Sequence, residues 1–154
     1  MTFAVSIAVG IGGLIVGLWL SRRPKRPLPG RQLISRLGVS QALPFAHAVV
    51  HGDVAYLSGV TAQADGQPIS ESDSVEDQTR RVLAVIDKRL ALAGSHKSQV
   101  LQAQVWLKDI AHDFKAMNAT WNEWVGSDKP VRATVESKLA TPAMLVEIQV
   151  TAAR

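Results

Sequence analysis

Two short stretches near the C-terminus decide the fold of this chain: Pro130-Val131-Arg132-Ala133-Thr134-Val135-Glu136 and Leu145-Val146-Glu147-Ile148-Gln149-Val150. Apolar and polar residues alternate in both, which is typical of a strand with one face in the core. Successive side chains of a strand point to opposite faces of the sheet. The pattern therefore predicts a core-facing set made of Val131, Ala133, Val135, Val146, Ile148 and Val150.

Arg132 and Glu147 belong to the opposite, polar set of these two strands. If the strands pair, the guanidinium and the carboxylate can lie together on the face of the sheet that is turned away from the core. The cation could then bind a substrate carboxylate while the acid handles a water molecule. On spacing alone, an ordinary cross-strand ion pair is the simpler interpretation.

Composition limits what the chain can be. Its 154 residues suffice for one domain of ordinary size, and the absence of cysteine excludes disulfides, thiolate metal sites and cysteine nucleophiles. Six of the 17 basic residues and none of the 13 acidic ones precede residue 37, which leaves 11 basic against 13 acidic residues in the rest. The net charge of +4 is thus local to the N-terminal part, and we expect no nucleic-acid partner for the folded domain.

The run from Phe3 to Leu20 contains no charged residue. As a helix it would be about 27 Å long, close to the hydrocarbon thickness of a bilayer. No Lys or Arg precedes it and a basic cluster, Arg22 to Arg26, follows it. Because basic flanks stay in the cytoplasm, the pattern predicts a single-pass anchor in the inner or plasma membrane with the domain on the cytoplasmic side. A signal peptide of unusual form is the alternative.

These observations divide the chain into three parts. Residues 1–21 are predicted to be a transmembrane anchor, residues 22–43 a basic, proline-rich linker, and residues 44–154 the folded domain. Within the domain, strands are predicted at Ala46–His51 and Val54–Ser58, with Gly52-Asp53 as their hairpin turn.

The rest of the domain alternates helices and strands. A helix is predicted from a cap at Ser74 to about Ala93, an amphipathic strand over Leu101–Leu107, and a second helix from about Asp113 to Val125. With the two C-terminal strands the order is ββαβαββ. This order predicts an α+β domain, with two helices packed on one face of a mixed sheet.

From Pro44 onward the chain resembles the reactive intermediate deaminase family, also called Rid or YjgF. The resemblance rests on segments that occur in the family's order across about 110 residues: Pro44-Phe45-Ala46-His47-Ala48, Leu57-Ser58-Gly59, Asp77 to Leu83, Trp106-Leu107-Lys108-Asp109, Met117 to Trp121, Pro130 to Val135, and Val146-Glu147-Ile148. The first 43 residues lie outside it, and a membrane anchor is unusual for the family.

The resemblance implies a homotrimer of chorismate-mutase-like subunits with clefts between neighbours. Enzymatic members hydrolyse 2-imino or enamine acids, such as 2-aminoacrylate, to 2-keto acids and ammonia without a metal or organic cofactor. By the same resemblance, Arg132 binds the substrate carboxylate and Glu147 positions or activates the water. Ser58 lies near the substrate, Phe45 replaces a tyrosine that lines the cleft, and Thr134 replaces a cysteine. The presence of both Arg132 and Glu147 favours catalysis over the ion pair.

Two further interpretations complete the predictions. A non-catalytic trimeric ligand-binding or accessory subunit of a larger membrane complex is the alternative function, since a freely diffusing metabolite needs no membrane-bound enzyme. No metal site is expected, because His47 and His51 on a strand would be about 13 Å apart.

Overall fold

The computed structural model describes residues 34–154. Its sheet contains seven strands: β1 (Ile34–Leu37), β2 (Ala48–His51), β3 (Val54–Leu57), β4 (Val60–Thr61), β5 (Val100–Leu107), β6 (Val131–Glu136) and β7 (Val146–Ala153). The strand order is β1-β2-β3-β7-β5-β6, and β4 also pairs with β7. Only the β5–β6 pairing is parallel. The sheet is therefore mixed, as predicted.

Two helices cover one face of this sheet. Helix α1 (Val75–Leu92) begins after Ser74, whose Oγ accepts a hydrogen bond from the Asp77 amide. Helix α2 (Ile110–Val125) begins three residues earlier than predicted because Asp109, through Oδ1, caps the His112 amide. Both caps satisfy amide groups that a first helical turn leaves without a partner.

The core lies between the helices and the sheet. Val146, Ile148 and Val150 of β7 are at most 1% exposed, and they meet residues such as Ile86 of α1 and Met117 of α2. The alternation in β7 therefore predicted its core face correctly. Apolar area of this kind is the main source of folding free energy.

Strand β6 differs from its prediction. It does not pair with β7, because β5 lies between them. Val131 is 71% exposed and Val135 40%, whereas Arg132 and Thr134 of the polar set are half-buried. The predicted orientation of β6 is thus wrong. Alternation separates the two faces of a strand, but it does not determine which face the helices cover.

The predicted linker and strand order also need correction. Ile34–Leu37, inside the predicted linker of residues 22–43, forms β1 and pairs with β2. Its side chains are mostly exposed, so it is held by backbone hydrogen bonds and shows no apolar alternation. With β1 and the two-residue β4, the order becomes ββββαβαββ.

No helix within residues 34–154 is long and apolar enough to cross a membrane. The predicted anchor at Phe3–Leu20 and the linker up to residue 33 lie outside the described residues.

Candidate functional site

Arg132 belongs to β6, and its side chain extends toward α2. Its Nη2 donates a hydrogen bond to Asn118 Oδ1 at 2.6 Å, and its guanidinium carbon is 5.2 Å from the centre of the Trp121 ring. Nη1 is buried and has no partner among residues 34–154. Burial lowers the pKa of Arg132. A guanidinium held by an aromatic face and an amide, with one nitrogen unused, can accept an anionic ligand.

Thr134 is two residues along β6, on the same face as Arg132. Its Oγ1 is likewise buried without a hydrogen-bond partner among the described residues. Buried polar atoms in native proteins are usually hydrogen-bonded, so both atoms have hydrogen-bonding capacity to offer a ligand. Arg132 and Thr134 therefore form one half of a candidate site.

Glu147 lies on the other face of the sheet. Residues opposite each other in neighbouring strands point to the same face. Ala103 of β5 is opposite Arg132 on one side and opposite Val150 of β7 on the other. Ala103 and Val150 are each 1% exposed and face the helices, so Arg132 faces them too. Glu147 is opposite Trp106 and therefore faces away from the helices. The prediction that Arg132 and Glu147 share a face is thus wrong within one chain.

The environment of Glu147 is close-packed. Its carboxylate lies against Gly59, where a Cβ would overlap Oε1 and lie 3.0 Å from Cδ. Its partner across the sheet is Thr61. Burial raises the pKa of Glu147 above the ordinary value of 4.5. Among the described residues it forms no ion pair, so the predicted ion pair with Arg132 does not form within one chain.

Phe45 and Ser58 are each related to Gly59, the glycine that packs against Glu147: Phe45 lines a cavity with Gly59, and Ser58 precedes Gly59 in the chain. Phe45 and Gly59 line a cavity of about 570 Å³. Ser58 Oγ accepts a hydrogen bond from Arg89 Nη1 at 2.9 Å and approaches the His47 carbonyl oxygen at 3.4 Å. Phe45, Ser58 and Glu147 therefore form a second half-site, separate from Arg132 and Thr134.

Sequence reasoning missed Arg89 and Asn118. Arg89 lines the same cavity and is only 6% exposed. The signal was present, because Arg89 is three residues after Ile86 and next to Leu90, both fully buried positions of α1. Asn118 could be found only from the approach of α2 to β6.

No three His, Asp or Glu side chains of residues 34–154 lie close enough together to hold a metal ion.

Comparisons with known proteins agree with this architecture. The family described as Endoribonuclease L-PSP matches residues 37–154. A RutC family protein of Haemophilus ducreyi is 38% identical over 122 residues, which is 79% of this chain and 97% of that protein. The RutC family protein YoaB of Escherichia coli K12 is 39% identical over 110 residues, 71% of this chain and 90% of YoaB.

Solved structures give the same result. NMB1025 of Neisseria meningitidis, a member of the YjgF protein family, is 34% identical to this chain, and the two structures superpose with a TM-score of 0.70. The match covers 81% of this chain and 98% of NMB1025. The family match spans nearly all of the described residues, and the relatives are covered almost end to end. The chain therefore belongs to the Rid/YjgF family, whose members also carry the names RutC and L-PSP.

Proposed function

We propose that this protein hydrolyses 2-imino acids and their enamine tautomers to 2-keto acids and ammonia. The observation that carries the proposal is the half-buried Arg132 guanidinium, whose Nη1 has no partner among the described residues. Family membership supports it, because Arg132 and Glu147 occupy the positions that the resemblance assigns to substrate binding and water activation.

Arg132 would bind the substrate carboxylate. Asn118 already accepts from Nη2, and the Trp121 ring fixes the plane of the guanidinium. Nη1 can therefore donate to a carboxylate oxygen without reorganisation, and Thr134 Oγ1 can donate to the same group. An Arg fork recognises planar carboxylates, so substrates without an acid group would be excluded.

Glu147 would act as the general base. Burial raises the pKa of this carboxyl, so it is a stronger base than an exposed glutamate. It would take a proton from a water molecule whose oxygen attacks the imine carbon. This attack gives a carbinolamine, and Glu147 passes the proton to the nitrogen. The remaining C–N bond then breaks as the hydroxyl loses its proton to the departing nitrogen, so the water oxygen becomes the keto oxygen and ammonia leaves. General-base assistance of this kind contributes about 10²–10⁴-fold.

The two half-sites require two copies of the chain. Because Arg132 and Glu147 face opposite sides of the sheet, the chemistry needs Arg132 of one subunit to meet Glu147 of its neighbour. We propose the homotrimer that the resemblance implies. The exposed apolar side chains of Val131, Val135 and Leu101 support it, since such residues are usually covered in an assembly.

The test is ammonia release from freshly generated 2-imino acids, measured above the spontaneous rate. We expect Arg132→Ala and Glu147→Gln each to lower kcat/KM by at least about 100-fold. Glu123→Gln, which removes an exposed carboxylate from α2, is the matched control and should retain full activity. A wild-type rate in Arg132→Ala would refute the assignment.

Tethering to a membrane is a separate proposal. It is supported by the uncharged run Phe3–Leu20 and the basic residues that follow it. The full chain should stay with the membrane after alkaline washing, and Leu14→Arg should release it, because an arginine at the bilayer centre costs about 3 kcal/mol. A membrane-bound chain without imine hydrolysis would instead favour the accessory-subunit function, for which the apolar run is the supporting feature.

A further inference from the structure

Arg89 is a cation at a buried position of α1, and arginine is rarely buried in proteins unless it is paired. It is 6% exposed on the core-facing side of α1, beside Ile86 and Leu90. A buried cation is strongly unfavourable unless it is paired and hydrogen-bonded. Arg89 therefore needs an explanation that packing alone does not provide.

The described residues leave Arg89 incompletely satisfied. Nη1 donates to Ser58 Oγ, but Nε is buried without any partner. No ion pair involving Arg89 occurs within residues 34–154. The charge of Asp65 acts on Arg89, but the Asp65 carboxylate forms its ion pair with Lys88, whose Nζ is 3.9 Å away. Burial lowers the pKa of Arg89, and the charge of Asp65 opposes this effect without cancelling it.

Arg89 also lines a cavity. This cavity measures about 570 Å³ and includes Phe45 and Gly59 in its wall. Gly59 packs directly against the Glu147 carboxylate. Gly59 therefore separates this cavity from the carboxylate that is proposed to activate water, and Arg89 lies in the wall of the same cavity. A cavity of this size accommodates a small organic acid.

We propose that Arg89 binds a second carboxylate of the substrate, so that the preferred substrates are imines of dicarboxylic amino acids. This inference rests on the proposed deaminase function for its chemistry. Arg132 of the neighbouring subunit would hold the carboxylate next to the imine carbon, and Arg89 would hold the distal one. The hydrolysis is otherwise unchanged: water supplies the keto oxygen, ammonia leaves, and the distal carboxylate takes no part.

The competing explanation is that Arg89 only positions Ser58. The two explanations predict different substrate dependence. An arginine that binds the distal carboxylate affects diacids selectively, because monoacids lack that group. An arginine that only positions Ser58 affects both classes equally.

The experiment compares 2-iminosuccinate and 2-iminoglutarate with 2-iminopropionate and 2-iminobutyrate, using the full chain and variants on α1. We expect wild type to prefer the diacids by about tenfold or more in kcat/KM, and Arg89→Met to lower that preference by about 10–100-fold. Arg89→Lys should retain part of it. Arg80→Met, which removes an exposed cation from the same helix, should not change it. Equal losses on both classes, or a preference that survives Arg89→Met, would overturn the inference.

Binding of unreactive analogues separates this inference from the proposed function. Calorimetry with 2-oxoglutarate and 2-oxobutyrate measures recognition without catalysis, and thermal unfolding verifies that each variant folds. Diacid binding that depends on Arg89 would support the inference even if no imine is hydrolysed. Equal affinity of wild type for both analogues would overturn it even if the deaminase activity is confirmed.

Discussion

Glu147 shows how the fold changes the chemistry of one residue. Its side chain is half-buried against Gly59, and loss of water around the carboxylate raises its pKa above 4.5. The raised pKa of Glu147 has two measurable consequences, one for the pH dependence of activity and one for the pH dependence of stability.

The acid limb of the activity profile should follow this raised pKa. A general base must be deprotonated, so kcat/KM should fall as the pH drops through a value above 4.5, the ordinary pKa of glutamate. The measurement is kcat/KM for one 2-imino acid between about pH 4 and 8, corrected for spontaneous hydrolysis at each pH. An acid limb at or below the ordinary value would contradict the role of Glu147.

The raised pKa of Glu147 affects stability in the opposite direction: activity should increase as the pH rises, whereas the free energy of unfolding should decrease. A carboxyl whose pKa is higher in the folded state than in the unfolded state destabilises the fold once it is ionised. Stability is therefore greatest below the unfolded pKa and is lost as the pH rises through the folded one. Glu147→Gln should raise Tm at pH 7, and its advantage should shrink as the pH approaches 4.5. A variant less stable than wild type at pH 7 would argue against this.

Among the strands and helices, the interruption between β3 and β4 has the largest effect on the geometry of the site. Both strands pair with β7, but Ser58 and Gly59 between them do not. Gln149 Nε2 donates to the Leu57 carbonyl oxygen at 3.1 Å beside this interruption. The interruption brings Ser58 to Arg89 and leaves room for the Glu147 carboxylate, so it positions one half-site.

Gly59→Ala tests the importance of this close approach. The new methyl group would overlap Glu147 Oε1, so the carboxylate must move. We expect kcat/KM to fall by at least about tenfold, because a displaced base loses most of its catalytic contribution. Adding Gly59→Ala to Glu147→Gln should cause little further loss, since both changes act on the same group. Additive losses would indicate a different cause.

The start of α1 offers a test that is independent of the site. Ser74 Oγ accepts from the Asp77 amide at 3.2 Å, and its hydroxyl donates to Asp77 Oδ2 at 2.8 Å. Ser74→Ala should lower the free energy of unfolding by about 1 kcal/mol, measured in urea. Ser74→Asp should recover most of the loss, and activity per folded molecule should not change. An unaffected stability would mean that this cap is not important for the fold.

At the scale of the whole molecule, the opposite orientation of the two half-sites has a direct test. Chains carrying Arg132→Ala and chains carrying Glu147→Gln should each be inactive alone. In a ring of subunits, every site takes one residue from each neighbour. In a trimer that contains both variants, one of the three sites combines an intact Arg132 with an intact Glu147. About a third of the wild-type activity should therefore return.

Co-expression with two different affinity tags provides the mixed assemblies. Ammonia release is then compared with that of wild type purified in the same way. As a control, Arg132→Ala chains mixed with chains carrying both substitutions should remain inactive. Failure of the two single variants to complement each other would mean that both residues act from one chain, or that no site forms between subunits.

The sequence predicted local structure well where a segment is buried on one side. Three features could be predicted without coordinates: the helix cap at Ser74, the Gly52-Asp53 turn and the alternation in β7. Each depends only on residues close together in the sequence or on the two-residue repeat of a strand. The prediction failed for β1, which is exposed and held by backbone pairing, and for the orientation of β6.

What the sequence determined by itself is the family, the order of most elements and the candidate residues Arg132, Glu147, Ser58, Phe45 and Thr134. Only the tertiary structure decided which of them can meet. Strand order placed β5 between β6 and β7, and helix packing determined which face of β6 is covered. These properties depend on contacts between distant segments, whereas alternation along a strand reports only that two faces exist. The same contacts placed Arg89 in the wall of a cavity, where it forms no ion pair among the described residues.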